Sequence, residues 1–555
     1  MNRIAVAGAV AVIVGGGAYY ALAVLPGQQF RSALDQTFAT LPPGYSVHYT
    51  KANYGVFSHV AEIDGLTFQG PAPQSATETI DKVTVEKPAL DFMDGWNKAQ
   101  ANQAALKPDQ ALPVADRITV EGVKLTDGFV SGSIASSSLA KLRVYPWALF
   151  RPGLPPLKDF AAVFATAIQT KTKLAAQQQA MLGQLKKDGD DDQAAALPSP
   201  ADIQQLQKEQ LDALLPVIRL EAAGFLALGY DGFDGSGLDL TTTIPDAGPA
   251  MPPGNIHIVV AKAHGNALDR GVGGANAIDG LVEDLGAQGK ISADRASIGN
   301  MAIRDAATRL VSGDAPSMAM LDGTTLGDIE VDGMSLGLPT GGKAEIAKIG
   351  FKDLAFDHGF LKSFGFNVTG FNQRPVDIDD TEKAMLQKIG LRAVTANINL
   401  AFQWDPDRKT ASVHDVTFSI DRVASIEVNA DIAGIDPANP AASLQASLVK
   451  ATVRYQDASL INRLLRADGK KTGQELAQMR QQYAAGMLAS LGPLASDPKL
   501  AGSVQAISDF AKTPHNLTIT LAPPMPVPVA SLKDVAVQGP GALVDALGLS
   551  ITANQ

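Results

Sequence analysis

Ile329-Glu-Val-Asp-Gly-Met-Ser-Leu336 carries apolar side chains at its first, third, sixth and eighth positions. Alternation with period two marks a strand with one apolar face, and the step from Val331 to Met334 breaks that period by one residue. A residue tolerant of positive φ at the break, here Gly333, predicts a bulge that keeps one face apolar while the strand bends. The same eight-residue pattern recurs at 61–68, 118–125, 296–303, 349–356, 411–418 and 530–537. The expected pivots are Gly65, Gly122, Asn300, Gly333, Asp353, Asp415 and Asp534. Their spacing is irregular, which excludes a fixed-period solenoid and predicts a long, curved, mostly antiparallel sheet.

Two segments interrupt the strand pattern. Residues 157–220 are rich in Ala, Gln, Lys and Leu around the run Lys186-Lys-Asp-Gly-Asp-Asp-Asp192 and the turn Pro198-Ser-Pro200, and read as a helical pair with a solvated link. A second helical block opens at Asp457, placed to cap a helix with Leu460, Ile461, Leu464 and Leu465 on one face. Thr472-x-x-Glu475 predicts a capping box for the next helix. Asp497 before Pro498 predicts a third, with Leu500, Val504, Ile507 and Phe510 at helical spacing. Amphipathic helices need a partner, and the neighbouring sheet is the expected one.

Residues 4–25 form a 22-residue run without charge or proline, long enough as a helix to cross about 30 Å of hydrocarbon. Only Asn2 and Arg3 follow Met1 before it, so the positive-inside tendency predicts a single-pass inner-membrane protein with the bulk of the chain periplasmic. Tyr19 and Tyr20 sit near the outer end of the run. The competing reading is a cleaved signal peptide with Ala21-Leu-Ala23 as its small-residue site; the length of the run favours the anchor.

The expected fold class is α+β: an N-terminal transmembrane helix followed by a long, bent, mostly antiparallel β-sheet with amphipathic helices packed on it. The expected regions are an anchor at 1–26, a β-rich region at 27–150, a helical insertion at 151–228, a second β-rich region at 229–455, a helical region at 456–513 and a C-terminal strand region at 514–555. A chain of 555 residues is too long for one core. Its 46% hydrophobic and 19% charged residues are those of a folding polypeptide. The net charge of −11 argues against a nucleic-acid partner, and the absence of cysteine excludes disulfides, thiolate metal sites and cysteine nucleophiles.

Ala52-Asn-Tyr-Gly-Val-Phe-Ser58 leading into the strand at 61–68, Tyr455-Gln-Asp-Ala-Ser-Leu-Ile-Asn-Arg-Leu-Leu465, and Asn516-Leu-Thr-Ile-Thr-Leu-Ala-Pro-Pro-Met-Pro-Val-Pro528 resemble the YdgA-like family of bacterial envelope proteins. The strand pattern is also similar to that of AsmA-like proteins. The first resemblance implies a membrane anchor and a large exported region; the second implies a part in lipid traffic and outer-membrane assembly. The helical insertion after Leu157 and the Gly-rich stretch near Gly271 match neither family.

No catalytic, cofactor or metal set assembles from the sequence, and the expectation is a protein that is not an enzyme. Gly333-Met-Ser-Leu-Gly337 fits G-x-S-x-G, but Ser335 falls inside an alternating strand instead of a strand-to-helix elbow. Gly337-Leu-Pro-Thr-Gly-Gly-Lys-Ala344 nearly matches a phosphate loop, yet Ala344 stands where a magnesium-binding hydroxyl belongs. Asp188, Asp190 and Asp192 lack the glycine and the glutamate of a calcium loop. His48, His59, His257, His264, His358, His414 and His515 show no ligand spacing. Two functions remain: a lipid-binding or lipid-transfer protein whose sheet offers an apolar face to membrane lipid, and a structural or assembly scaffold of the envelope, with envelope proteins as its partners, whose sheet face is fully covered by its own helices. They separate on whether Ile329, Val331, Met334 and Leu336 line an open groove or a filled core.

Overall fold

A computed structural model describes the chain from residue 31 onward, apart from 32–33, 36–37, 39–45, 71–76, 90, 127–129, 152, 156–199, 245–253, 338–341, 358, 374–379, 437–445, 493–497, 532–533, 535–536 and 538–539. The chain is mostly antiparallel β-sheet, and the transmembrane helix of the expected fold class is corrected: among the described residues no helix is long and apolar enough to cross a membrane. The longest, Pro200–Ala227, is interrupted by Pro216 and carries Lys208, Glu209, Asp212, Arg219 and Glu221. The single-pass inner-membrane placement falls with it. Residues 4–25, on which both readings rested, lie outside the described residues, as do the first helix of the 157–220 pair and Asp188, Asp190 and Asp192.

The strands are β1 (Ser46–His48), β2 (Lys51–Gly55), β3 (Val60–Gln69), β4 (Thr77–Pro88), β5 (Leu112–Thr126), β6 (Val130–Val144), β7 (Leu228–Ile244), β8 (Gly254–Asp269), β9 (Val272–Gly273), β10 (Asn276–Asp284), β11 (Lys290–Ile298), β12 (Met301–Ala302), β13 (Thr325–Leu326), β14 (Ile329–Gly337), β15 (Lys343–Asp357), β16 (Phe360–Gln373), β17 (Val394–Asp405), β18 (Thr410–Ile420), β19 (Ala424–Ala433), β20 (Ser447–Asp457), β21 (Asn516–Leu521), β22 (Val527–Pro528) and β23 (Ser550–Ala553). Helices are α1 (Phe92–Ala101), α2 (Pro146–Leu149), α3 (Pro200–Ala227), α4 (Arg304–Val311), α5 (Asp380–Lys388), α6 (Leu460–Thr472), α7 (Leu476–Ser490), α8 (Ala501–Lys512) and α9 (Pro540–Leu547). They divide into two units, the first comprising Met1–Gly237, His264–Gly274 and Ala302–Met320, the second the remainder.

In the first unit, the core forms on one face of β3–β6. Ala61, Ile63 and Leu66 of β3 are each about 1% exposed, although Ile63 and Leu66 are three apart and would face opposite ways in a regular strand. Gly65 between them has φ +60°. The pairing Asp64↔Lys82 continues as Leu66↔Ile80, so no residue is inserted. The partner makes the same step, since Ile80 and Val83 of β4 are also three apart and both buried. Gly122 on β5 (φ +64°) repeats this with continuous register from Lys82↔Glu121 to Ile80↔Val123. The bulge expected at Gly65 and Gly122 is therefore corrected to a face change shared by neighbouring strands. A second cluster of the same unit gathers Ala222, Ala223 and Leu226 of α3 against Ala307 and Val311 of α4 and Ala148 of α2. Asp269 helps close this unit, accepting a hydrogen bond from the Tyr145 hydroxyl; the Arg304 guanidinium donates to the carbonyl oxygens of Asp269 (2.8 Å) and Arg270 (3.0 Å).

In the second unit, Gly333 (φ +62°) also changes face without insertion, from Asp332↔Lys348 to Met334↔Ile346. Asp353 and Asp415, both at φ +53°, do sit at register shifts, between Lys352 and Ala355 and between Val413 and Val416, and are bulges as expected. Asn300 does not continue a strand: β11 ends at Ile298 and β12 begins at Met301, with Gly299 N–H donating to the Asp328 carbonyl between them. The 530–537 copy is not a strand either; Val529–Ser531 is a 3₁₀ turn and Asp534 is helical. Asp457 caps α6 as expected, its Oδ1 accepting the Ile461 N–H at 3.0 Å. The capping box at Thr472 is corrected. α6 runs through Thr472 to a left-handed Gly473, and the Thr472 hydroxyl donates back to the carbonyl oxygens of Asp468 and Gly469.

Candidate functional site

Directly opposed residues of an antiparallel pair share a face, so the registers of the second unit trace its two surfaces. On one surface Val331 opposes Ile349, Ile349 opposes Val368, and Val368 opposes Ile398. The row continues from Ile398 to Phe418, Ile426, Tyr455 and Leu517. A neighbouring row runs Ile329, Phe351, Phe366, Leu400, with the Phe351 and Phe366 rings 4.9 Å apart. On the other surface Glu330 opposes Gly350, Asn367 opposes Asn399, Thr417 opposes Glu427, and Glu427 opposes Arg454. One face is apolar and the other polar across at least seven strands.

Among the described residues, helices cover only one end of the apolar face. Ile461 and Leu465 of α6 and Phe510 of α8 are buried, packed with Tyr455, Leu517 and Ala553 on β20, β21 and β23. The Tyr455 and Phe510 rings meet edge to face at 5.9 Å. Burial and the hydrogen bond to Asp457, 2.9 Å away, push the Tyr455 phenol well above its ordinary pKa. Farther along the same face the cover stops: Ile426 is 42% exposed, Phe418 48%, Ile398 39% and Phe351 41%. Ile329, Val331, Met334 and Leu336 come together on this surface as the sequence pattern requires, and all four are half-buried, so they form no sealed core. Sequence periodicity located the face; which part of it stays open depends on where the helices dock, which periodicity does not encode.

The polar face carries a shallow depression lined by Lys348, Lys352, Asn367, Asn397, Asn399 and Thr417. Its groups are largely engaged. Lys348 pairs with Glu330 at 2.7 Å, a hydrogen bond that holds the Glu330 carboxyl below its ordinary range. Asn397 accepts from the Gly370 N–H at 2.8 Å and donates to Asp421 at 3.0 Å.

The catalytic-looking strings assemble nothing among the described residues. Ser335 lies mid-strand, opposite Glu345 on one side and Ser292 on the other, so no elbow exposes its hydroxyl. Residues 338–341 of the phosphate-loop-like string are outside the described residues, and Lys343 and Ala344 begin β15, not a helix. His257 is engaged by Asp239 at 2.9 Å. Among the described residues no three His, Cys, Asp or Glu side chains converge as a metal site would require.

Fold and face together define a class: an antiparallel β-sheet protein whose second unit has one polar face and one apolar face that the described helices leave partly bare. A family model described only as an uncharacterized protein matches residues 417–554, from within β18 to the C-terminal strand; that match establishes no link to YdgA-like or AsmA-like proteins. No curated protein and no solved structure matches the chain.

Proposed function

We propose that this protein works by binding, not by catalysis, and that it holds lipid acyl chains against the bare apolar face of its second unit. The observation that carries this reading is the direct opposition of Ile398, Phe418 and Ile426 on three adjacent strands, each more than a third exposed. Contiguous apolar surface of this kind marks an interaction site in a soluble protein. A sheet lined by aliphatic and phenyl side chains, with polar groups confined to the other face, matches a hydrocarbon chain better than a polar ligand. The similarity of the strand pattern to that of AsmA-like proteins, which implies a part in lipid traffic, supports a lipid ligand. The alternative is a scaffold whose bare face is closed by another protein; it is favoured by α6 and α8, which show that amphipathic helices fit the covered end of this surface.

Lipid extraction and native mass spectrometry of the purified full chain test the proposal. Co-purifying lipid, reduced by Phe418→Asp without loss of cooperative unfolding, is expected. A chain free of lipid, and equally unable to take up a fluorescent fatty acid, leaves the scaffold reading.

A further inference from the structure

The hairpin joining β2 to β3 ends in Gly55-Val56-Phe57-Ser58-His59, and its apex is apolar: Phe57 is 100% exposed and Val56 48%. This exposure does not come from a loose loop. The His59 N–H donates to the Gly55 carbonyl at 2.8 Å, the Ser58 hydroxyl donates to the same oxygen at 3.3 Å, and the His59 carbonyl accepts the Lys87 N–H at 2.7 Å from β4. His59 itself adopts φ +52°, which turns the chain back into β3. The apex is thus a braced, convex projection with two adjacent apolar side chains facing solvent. Being convex, it inserts into a partner; it does not receive one.

We propose that Val56 and Phe57 form an insertion tip for a lipid surface. Two side chains provide far less than the roughly 800 Å² per partner that a specific protein interface needs. A bilayer interface demands no matching pocket and takes up an exposed aromatic side chain wherever the backbone presents it. Bracing matters for the same reason, because a tip already fixed in shape loses little conformational entropy on entry. The contact is weak alone and reversible, suited to touching a membrane. It stands apart from the acyl-chain site assigned to the second unit, since the tip can meet a bilayer whether or not the sheet face binds lipid.

The chain has no cysteine, so one introduced thiol can be labelled uniquely. In the full-length protein, Phe57→Cys carrying the environment-sensitive dye NBD is mixed with phosphatidylcholine–phosphatidylglycerol vesicles. Gln110→Cys, exposed on another loop of the same unit, serves as the reference. At position 57 the emission should at least double, shift to the blue and be quenched by spin-labelled lipid, while the label at 110 stays unchanged. Equal responses at the two positions, or none at 57, overturn the proposal and leave the tip to a protein partner. The readout is local to residue 57, so association of the chain with vesicles through any other segment does not imitate it.

Discussion

A Cβ placed on Gly333 would stand 2.9 Å from the Cβ of Asp294, on the strand beside it. Gly122 meets Asp81 in the same way at 2.7 Å, Gly237 meets Ala135 at 2.7 Å, and Gly280 and Gly370 meet Ala261 and Ala347 at 2.8 Å. Within each unit, a left-handed residue on one strand lies beneath a side chain of the strand before it. The two requirements, positive φ and no side chain, coincide at one position. Gly333→Val should therefore cost about 2 kcal/mol or more, from the left-handed backbone and the overlap together. Adding Asp294→Ala removes the carboxylate that the new side chain would overlap but keeps the Asp294 Cβ, so it should restore only part of the overlap cost. Urea denaturation of the single and double variants measures both, and an unchanged midpoint in Gly333→Val would refute the account.

Phe418 and Phe510 lie on opposite sides of the line where helical cover ends. Phe510, 3% exposed between α8 and the sheet, should cost about 3–5 kcal/mol on truncation to alanine. Phe418→Ala, at a side chain 48% exposed, should change stability by less than about 1 kcal/mol. Thermal unfolding of the two variants decides the matter; comparable losses would mean that the face around Phe418 is covered in solution.

Glu78 faces the core side of β4 between Phe68 and Leu125, only 5% exposed. Burial pushes its pKa from the ordinary 4.5 up to about 7. The folded state therefore holds the proton more tightly than the unfolded chain. Its contribution is favourable below about pH 4.5 and declines as the pH rises through 7, by at most about 3 kcal/mol. Glu78→Gln should be more stable than the parent at pH 8 and nearly equal to it at pH 4. Denaturation midpoints that run parallel across this range would show that Glu78 is not the titrating group.

Asp457 is 4% exposed and joins the last strand before α6 to that helix, accepting from Tyr455 and from the Ile461 N–H. Asp457→Ala leaves a phenol and an amide without their acceptor and should cost about 1–3 kcal/mol. Tyr455→Phe removes one of these bonds while keeping the ring against Phe510, so its loss should be smaller. A double-mutant cycle on the two positions measures the coupling.

The period-two pattern located the left-handed positions at Gly65, Gly122, Gly333, Asp353 and Asp415 because apolar side chains on either side of each must return to one face. It missed Gly237, where Gly235 occupies the third place of the pattern, and Gly280 and Gly370, where Glu283 and Gln373 occupy the last apolar place. It failed at 530–537, behind Pro526 and Pro528, where Asp534 and Val537 are helical and three apart, a spacing that a helical turn and the strand pattern share. It failed at Asn300 because backbone from Gly327 crowds in, with the Gly327 N–H donating to the Asn300 carbonyl, a contact distant in sequence. The apolar face was legible for the same reason as the strands. Its open extent was not, since a leucine or phenylalanine beneath a helix and one facing solvent obey the same alternation.

The pairing of Gly122, Gly237, Gly280, Gly333 and Gly370 with a covering residue on the strand before each bears on how such a sheet can change in width. Each of these strand pairs brings its own glycine and its own covering side chain, and satisfies the face change internally. Gain or loss of a single strand would place a left-handed residue beside the wrong neighbour. Gain or loss of a whole hairpin would leave every remaining pair matched. Relatives of this chain should accordingly differ in sheet width by even numbers of strands, with the breaks falling between pairs.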